Sequence, residues 1–270
     1  MENVRESHWQ GLVFPGGILV LWFLLAYTGK LNRHTIPSPG EMISAFGSLC
    51  RDGVLWSYLS TSLWRVLSGF VLAAMVGVPL GLIMGCFPQT VIWFGPTLAF
   101  LRQIPPTALI PLFLLWLGIG EGSKLAVIFY AALFPIVVNS CLGVQEISRD
   151  YWEVSRALCL SPWNTLRRLI LPGSLEAVFT GLRLGMGLSW RAIVAAEMLA
   201  STSGLGYLVM TARSLARVDQ MFVGIAVIGF MGLVMDQAFL TVHNRLILSR
   251  RGVRHASTPP QTAPSLQNVS

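Results

Sequence analysis

The sequence predicts an all-α integral membrane protein with six transmembrane helices. Hydrophobic residues make up 54% of the 270 residues and charged residues only 11%, whereas charged residues are about 25% of ordinary soluble domains. Apolar stretches, most of them long enough to cross hydrocarbon as a helix, recur along the chain, and strand-like alternation is absent. Because backbone groups in lipid need internal partners, helices fit this pattern. The stretches cover about 12–28, 66–87, 106–120, 125–144, 177–200 and 221–242.

The first apolar stretch is predicted to be a span and not a secretion signal. Arg5 precedes it, as in a signal, but Glu2 and Glu6 cancel this positive charge. The stretch is longer than a signal core, and no small-residue cleavage site follows Tyr27. We therefore count it as the first of the six helices.

The third hydrophobic region is irregular, because prolines remove backbone donors and bias their neighbours away from helix. We expect its spanning part to start near Pro106, with 91–104 lying along the membrane or the bundle. The interrupting prolines are Pro96, Pro105, Pro106 and Pro111.

The chain divides into three predicted parts. Residues 1–60 hold the first span and a polar connector, within which a short surface helix is expected over about 41–49. Residues 61–250 form a core with five spans, and 251–270 form a tail rich in Ser, Thr, Pro and Gln. Such a tail cannot bury apolar surface and is predicted to be disordered in the cytoplasm.

The formal net charge of +7 is explained by membrane topology without a nucleic-acid partner. Basic clusters follow the fourth and sixth stretches, which favours a multi-pass chain with both termini in the cytoplasm. The bias is modest, since six basic residues fall on the other side. The clusters are Arg149, Arg156, Arg167 and Arg168, then Arg245, Arg250, Arg251 and Arg254; the opposite residues are Lys30, Arg33, Arg51, Lys124, Arg213 and Arg217.

Residue patterns for a metal, cofactor or catalytic site are missing. The cysteines form no C-x-x-C pair and are interpreted as small apolar side chains. The four histidines lie at the edges of spans or in tails, without a nucleophile or carboxylate cluster. The cysteines are Cys50, Cys86, Cys141 and Cys159.

The polar segment 144–173 is longer than a connector between spans needs to be. Asp150 and Glu153 resemble a capping box that opens a short helix. Ser161 is a good N-cap before Pro162, so a second helix should follow and end at Leu171, where Pro172 stops it. We interpret the pair as a docking element; an amphipathic helix lying on lipid is the alternative.

This segment resembles the signature loop of permease subunits in bacterial ATP-binding-cassette importers, whose spacing is E-A-A-x3-G-x9-I-x-L-P. Glu153, Leu171 and Pro172 match, and the spacing is kept throughout. Cys159 stands in place of the glycine, so we expect the turn to rely on residues 160–162. The other departures are Val154 and Ser155 for the two alanines and Leu169 for the isoleucine.

The resemblance extends over about 60–250 and is closest to the branch that imports aliphatic sulfonates, taurine or nitrate. It is carried by 62–70, by 104–111, and by 195–198 leading into 203–207. It implies a type I importer permease of the bacterial inner membrane with a cytoplasmic coupling-helix loop. It also implies a permease homodimer, a dimer of ATPase subunits that binds ATP and Mg, and a periplasmic solute-binding protein. This chain itself would bind no cofactor.

In that family the loop fits a cleft on the ATPase subunit. An apolar anchor would come from Tyr151, Trp152, Ala157 and Leu158, and a charged rim from Glu153, Arg156 and Arg167. The predicted coupling residues are Tyr151, Trp152, Glu153, Arg156, Ala157, Leu158, Cys159, Leu169, Leu171 and Pro172.

Charged residues inside the fifth span suggest a path for an anion. Arg183 and Arg191 are eight residues apart, which places them within about 80° of each other around a helix. Such charges usually face a bundle interior or a water-filled route. With Glu197 they form the predicted substrate pathway. Two alternatives stay open: Arg183 reaches the interface or pairs with Asp236, and Glu197 pairs with an arginine.

Other interpretations remain beside the importer. An ion-coupled secondary transporter would use Glu197 or Asp236 as proton carrier, but the chain shows no inverted repeat. A self-contained pump would need a phosphate loop, and 118–124 lacks its second glycine and its final Ser or Thr. The segment 201–220 is either a plain connector or a gate or dock for a binding protein. Gly77, Gly81 and Gly85 predict close helix packing.

Overall fold

The computed structural model describes residues 36–255, together with 13, 16, 17, 20–24 and 28, and it describes side chains as far as Arg245. The described residues are helical apart from short turns, and they include no strand. The predicted first span lies largely outside them, although 20–24 are helical. The all-α class is therefore confirmed, and six spans remain a prediction.

Four helices carry the bundle, and shorter ones connect them. A 3₁₀ turn, Pro106–Leu109, leads into α4, and a π turn, Leu166–Ile170, joins α7 to α8. The helices are α1 (Pro39–Arg51), α2 (Val54–Cys86), α3 (Pro88–Leu101), α4 (Ile110–Leu117), α5 (Glu121–Gln145), α6 (Arg149–Ala157), α7 (Pro162–Thr165), α8 (Leu171–Ala200), α9 (Leu205–Ser214) and α10 (Val218–His255).

In the described part of the chain, four helical segments are each long and apolar enough to cross a membrane: α2, α5, Pro162–Ala200, which includes α8, and Val218–Arg245 of α10. The bundle has an α9 end, where α5 begins and α8 ends, and an α6 end opposite to it. The predicted third span is wrong as a single helix, because α3 and α4 form a pair bent by 79°. Residues 106–117 alone would reach only about 18 Å, short of the roughly 30 Å of hydrocarbon. A fifth crossing therefore needs both halves.

Helix α2 begins twelve residues before the predicted second span. Polar residues fill its first turns, but their hydroxyls are satisfied within the helix: Ser60 and Thr61 both donate to the carbonyl of Ser57, at 2.9 and 2.8 Å. Such back-bonding lets a polar stretch continue an apolar helix.

The predicted surface helix exists as α1 and is somewhat longer than expected. Ser38 and Glu41 form a reciprocal capping box at its start. Ala45 and Leu49 are buried in the main core, where α1 packs against α10 and α2. One face of this helix is thus tied to the bundle.

Helix α5 lies between α2 and α8, and glycines on both neighbours let it approach closely. A Cβ at Gly81 of α2 would overlap the carbonyl oxygen of Val137 on α5. On the other side, a Cβ at Gly181 or Gly185 of α8 would press against α5 backbone. The predicted small-residue ridge is therefore confirmed as packing within one chain. These three helices form a fixed frame.

Helix α10 continues to His255, five residues past the predicted end of the core. Residues 251–255 are helical where the sequence predicted a disordered tail. The remainder of that predicted tail, 256–270, lies outside the described residues.

Candidate functional site

A buried ion cluster lies near the α9 end, where three helices meet. Arg65 of α2 donates to both oxygens of Glu121 on α5, at 2.7 and 2.6 Å. The same guanidinium donates to Glu197 of α8 at 2.8 Å. The side chain of Arg65 is 4% exposed and that of Glu197 is fully buried. The cluster links the helices of the frame through one cation.

The segment after α8 closes over this cluster. Arg65 also donates to the carbonyl of Ser203 at 2.8 Å and to its hydroxyl at 3.0 Å. Glu197 accepts from the Gly206 amide at 3.0 Å and from the Ser62 hydroxyl. The positive φ of Gly204 is +112°, and a Cβ there would overlap the Glu197 carboxylate. Only glycine fits at 204, since both the backbone and the space require it.

Sequence reasoning missed this cluster in part. It placed Glu197 in the substrate pathway, but the structure buries this carboxylate against Arg65, which agrees with the alternative that it pairs with an arginine. Arg65 and Glu121 were not predicted as site residues. The signal available was the depth of Arg65, because a charged residue eleven positions inside α2 needs a partner in hydrocarbon. Glu121, the first residue of α5, gave no such signal.

A groove between α8 and α10 holds the two predicted pathway arginines. Arg183 forms a two-pronged ion pair with Asp236, with Nε–Oδ1 and Nη2–Oδ2 distances of 2.6 and 2.7 Å. Arg191 donates Nε to the carbonyl of Gly187 at 3.0 Å. Its terminal amino groups have no protein partner among the described residues. Two adjoining cavities, of about 370 and 540 Å³, are both lined by Arg183 and Arg191.

The wall of the smaller cavity is mainly apolar. It is formed by side chains such as Met186, Trp190 and Phe239, with Gly229 and Gly232 leaving space on α10. The Trp190 indole donates to the carbonyl of Ile228 at 3.0 Å, which fixes its ring across the two helices. The groove therefore places the unneutralised guanidinium of Arg191 beside an apolar surface.

At the α6 end, residues 146–170 form a two-helix loop made of α6, α7 and the π turn. Ser148 caps α6, and not Asp150 as predicted, because the Ser148 hydroxyl accepts from the Asp150 amide. The predicted cap at Ser161 with Pro162 at the first helical position is confirmed. The predicted stop at Pro172 is wrong. The preceding π turn already interrupts the regular ladder, so the missing donor of Pro172 is tolerated and the chain runs on into α8.

The loop exposes most of its predicted coupling residues. Glu153, Arg156, Ala157, Arg167, Leu171 and Pro172 are exposed, and Leu169 is half-buried. Tyr151 and Leu158 leave 56% and 66% of their surface open. Trp152 differs from the prediction, because it packs on this chain's own cluster of Leu82, Val144, Ile170 and Val178. Trp152 therefore anchors the loop to the bundle, whereas Val154 and Trp163 add to its exposed apolar surface.

Cys159 itself makes the turn between α6 and α7. Its φ is +50°, the left-handed region that glycine normally occupies. The Leu160 amide donates to Ser155 and the Cys159 amide to Arg156, at 3.1 and 2.9 Å, which is the Schellman pattern. The expectation that residues 160–162 would replace the glycine turn is thus wrong. The turn lies at position 159, and Cys159 adopts a strained left-handed conformation there.

Replacing this cysteine by glycine should stabilise the protein. A non-glycine residue in the left-handed region carries roughly 1 kcal/mol of strain, partly offset by the greater freedom of glycine in the unfolded chain. We expect Cys159→Gly to raise the unfolding temperature by a few degrees in detergent, and Cys159→Ala to leave it unchanged. A lower unfolding temperature for the glycine variant would contradict this.

Residues 77–247 match the family described as the binding-protein-dependent transport system inner membrane component. The chain belongs to this family. A permease protein of Bacillus subtilis (strain 168), named for transport of aliphatic sulfonates, is 32% identical over 92% of this chain and 89% of its own length. A nitrate import permease protein of Synechocystis is 36% identical over 83% of this chain and 84% of its own length.

The fold agrees with the family. An inward-facing structure of the MetNI methionine ABC transporter covers 71% of this chain and 96% of its own, with a TM-score of 0.60 at 16% identity. The protein is therefore the membrane-embedded, multi-pass permease subunit of an ABC importer. It is not an enzyme, since ATP hydrolysis belongs to a separate subunit, and the family works with a substrate-binding protein.

Proposed function

We propose that this permease translocates aliphatic sulfonates, with taurine and then nitrate as the next candidates. The observation that carries the proposal is the α8–α10 groove, where Arg191 lies beside an apolar wall. A sulfonate has an anionic head for the guanidinium and a hydrocarbon part for Trp190 and Phe239. Nitrate has the anionic group but no hydrocarbon part. Relatives named for both kinds of substrate support an anion, and the apolar wall favours the organic one.

The two arginines take different parts in this function. Arg183 is neutralised by Asp236, so it shapes the groove without attracting an anion strongly. Arg191 keeps its charge and has terminal N–H groups free for a sulfonate oxygen. A planar guanidinium suits such an oxyanion because it can donate two parallel hydrogen bonds.

The α6 end would face the cytoplasm, where the two-helix loop docks on the ATPase subunit that holds ATP and Mg. Four arginines at this end favour that orientation. The exposed side chains of Tyr151, Val154 and Leu158 supply an apolar anchor, and Glu153, Arg156 and Arg167 surround it. The chain would act as a homodimer in the bacterial inner membrane, with its α9 end toward the periplasmic binding protein.

The loop can transmit movement because it is stiffly joined to the bundle. Trp152 and Leu166 pack on the cluster formed by α2, α5 and α8. The π turn carries the backbone from α7 into α8 without a break. A displacement of the loop by the ATPase therefore moves α8, which carries Arg183 and Arg191. This is how nucleotide-driven closure would open and shut the groove.

The secondary-transporter alternative gains no support from the geometry. Its two candidate proton carriers are held in ion pairs, Glu197 with Arg65 and Asp236 with Arg183. A carrier that must release its proton at each cycle would have to break these contacts every time.

Replacing Arg191 tests the proposed substrate class. The chain is reconstituted in lipid vesicles with its ATPase and binding protein, and ATP hydrolysis is measured with ethanesulfonate, taurine or nitrate. We expect ethanesulfonate to stimulate hydrolysis most and Arg191→Gln to reduce the stimulation about tenfold, as for a lost charge-assisted contact. Arg191→Lys should retain part of it, and Arg245→Gln, which removes an exposed cation outside the groove, should retain all of it. Stimulation by nitrate alone would contradict an organic substrate.

A further inference from the structure

The elbow between α3 and α4 holds an arginine without a counter-charge. Arg102 directly follows α3, where the helix pair bends by 79°. Its backbone amide caps the helix by donating to Leu98 at 3.0 Å. Its side chain is exposed and makes neither a hydrogen bond nor an ion pair with any residue of the described part of the chain. The substrate pathway predicted from the sequence did not include it.

The elbow lies deep in the bundle and not at an interface. The Tyr130 hydroxyl on α5 donates to the carbonyl of Leu101, the residue before Arg102. Tyr130 is nine residues into α5, or about 14 Å along a helix about 38 Å long. Arg102 is thus held at a depth where a cation is costly unless it faces protein or a water-filled route.

Arg102 lines a cavity of about 340 Å³ beside α5. Most of the lining is apolar, and Asn139, on the same helix as Tyr130, adds a polar side chain. Asn139 donates one amide hydrogen to Pro135 at 2.8 Å, which leaves a second hydrogen for a ligand. The cavity therefore offers a guanidinium and an amide, both donors, within an apolar wall. These are the groups that an oxyanion with a small hydrocarbon part requires.

The elbow cavity adjoins the α8–α10 groove. Pro135 and Leu188 line both the elbow cavity and the 540 Å³ cavity that contains Arg191. On its other side Arg102 also lines a cavity of about 220 Å³ that reaches Gln145, the last residue of α5, at the α6 end. Arg102 is thus a cation between the groove and the α6 end. Several weak sites in series allow an anion both to enter and to leave.

We propose that Arg102 and Asn139 form a second binding site for the transported oxyanion, between the Arg191 groove and the α6 end. This site rests on the proposed function, since it requires anion transport by this chain. The guanidinium of Arg102 holds the sulfonate head, and Asn139 donates a further hydrogen bond to it. The position of that guanidinium depends on the 79° bend, since Arg102 would lie at a different place in a straight span.

Uptake of radiolabelled ethanesulfonate into vesicles, by the full complex with ATPase and binding protein, tests this site. We expect Arg102→Gln to raise the KM for uptake about tenfold and Arg102→Lys to raise it less, because lysine keeps the charge but loses the planar fork. Arg245→Gln, which removes an exposed cation from the distal part of α10 and lies outside both cavities, should leave KM unchanged. Uptake by Arg102→Gln within about twofold of the unmodified chain would overturn the proposal.

A second measurement separates a water-filled site from an arginine that faces lipid. In a chain whose four cysteines are replaced by serine, the thiol introduced by R102C should react with a hydrophilic thiosulfonate reagent, and ethanesulfonate should slow the reaction. A thiol that does not react, or that ethanesulfonate does not protect, overturns the site. If the unmodified complex accumulates no anion at all, both the proposed function and the second binding site are wrong. If the unmodified complex and Arg102→Gln both show normal uptake, only the second binding site is wrong.

Discussion

Arg65→Met is expected to destabilise the folded protein by about 3–5 kcal/mol, because it leaves a buried carboxylate without its cation. Glu197 is fully buried and faces Arg65 at 2.8 Å. Removal of the guanidinium also takes one donor from the Ser203 carbonyl and two from Glu121, which among the described residues keeps only Lys124 at 3.2 Å. Most of the protein should then fail to reach a monodisperse state, and the survivors should unfold at a much lower temperature in detergent.

Two further variants show whether the effect comes from the ion pair. Glu197→Gln should cost less, since an amide oxygen can still accept from Gly206 and Ser62 and Arg65 keeps Glu121. The double variant should cost less than the sum of the single ones, as expected for groups in direct contact. Arg217→Met, at an exposed turn, is the matched control and should leave the unfolding temperature unchanged. Simple additivity of the two single variants would contradict a buried pair.

Leu158→Asp is expected to weaken binding of the ATPase subunit at least about 30-fold, the effect of losing an apolar hot spot worth about 2 kcal/mol. The side chain is 66% exposed, so folding should be unaffected. A carboxylate in its place would be buried unpaired if the loop enters a cleft on the ATPase subunit. The measurement is the affinity of the purified chain for the ATPase subunit, together with the unfolding temperature of the chain alone.

Leu215→Asp is the matched control for this result. Leu215 is similarly exposed, at 58%, but lies beyond α9 at the other end of the bundle. The Leu215→Asp variant should bind the ATPase subunit with unchanged affinity. Equal loss of affinity in both variants would mean that the aspartates act through the fold and not through the loop.

Local patterns in the sequence predict the helices well where they are apolar and capped. The cores of α5, α8 and α10 follow from hydrophobic stretches, and the start of α7 follows from Ser161 and Pro162. The start of α2 does not follow from such a stretch, because Ser60 and Thr61 lower the hydropathy of its first turns. Their hydroxyls nevertheless donate within the helix and so allow it to begin earlier. The bend at Arg102 is signalled by prolines, but its angle is set by packing against α5.

The parts of the site that escaped prediction depend on contacts between distant residues. Arg65 and Glu197 are separated by 132 positions, and nothing local distinguishes this pair from other combinations of arginine and carboxylate. Trp152 belongs to an amphipathic helix, so its sequence position does not reveal which side packs on the bundle. Cys159 shows a different limit. The spacing of the motif glycine correctly marks position 159 as the turn. The cysteine at this position led to the wrong expectation that the turn relies on residues 160–162, because the surrounding hydrogen bonds hold a cysteine in the left-handed region.

The most direct measurement for an ATP-driven anion importer is uptake of labelled ethanesulfonate into sealed vesicles that contain the chain with its ATPase and binding protein. We expect uptake that requires ATP and the binding protein, persists when the proton gradient is collapsed, and stops when Leu158→Asp detaches the ATPase. Uptake by the chain alone, driven by a proton gradient and abolished by Asp236→Asn, would contradict an ATP-driven importer.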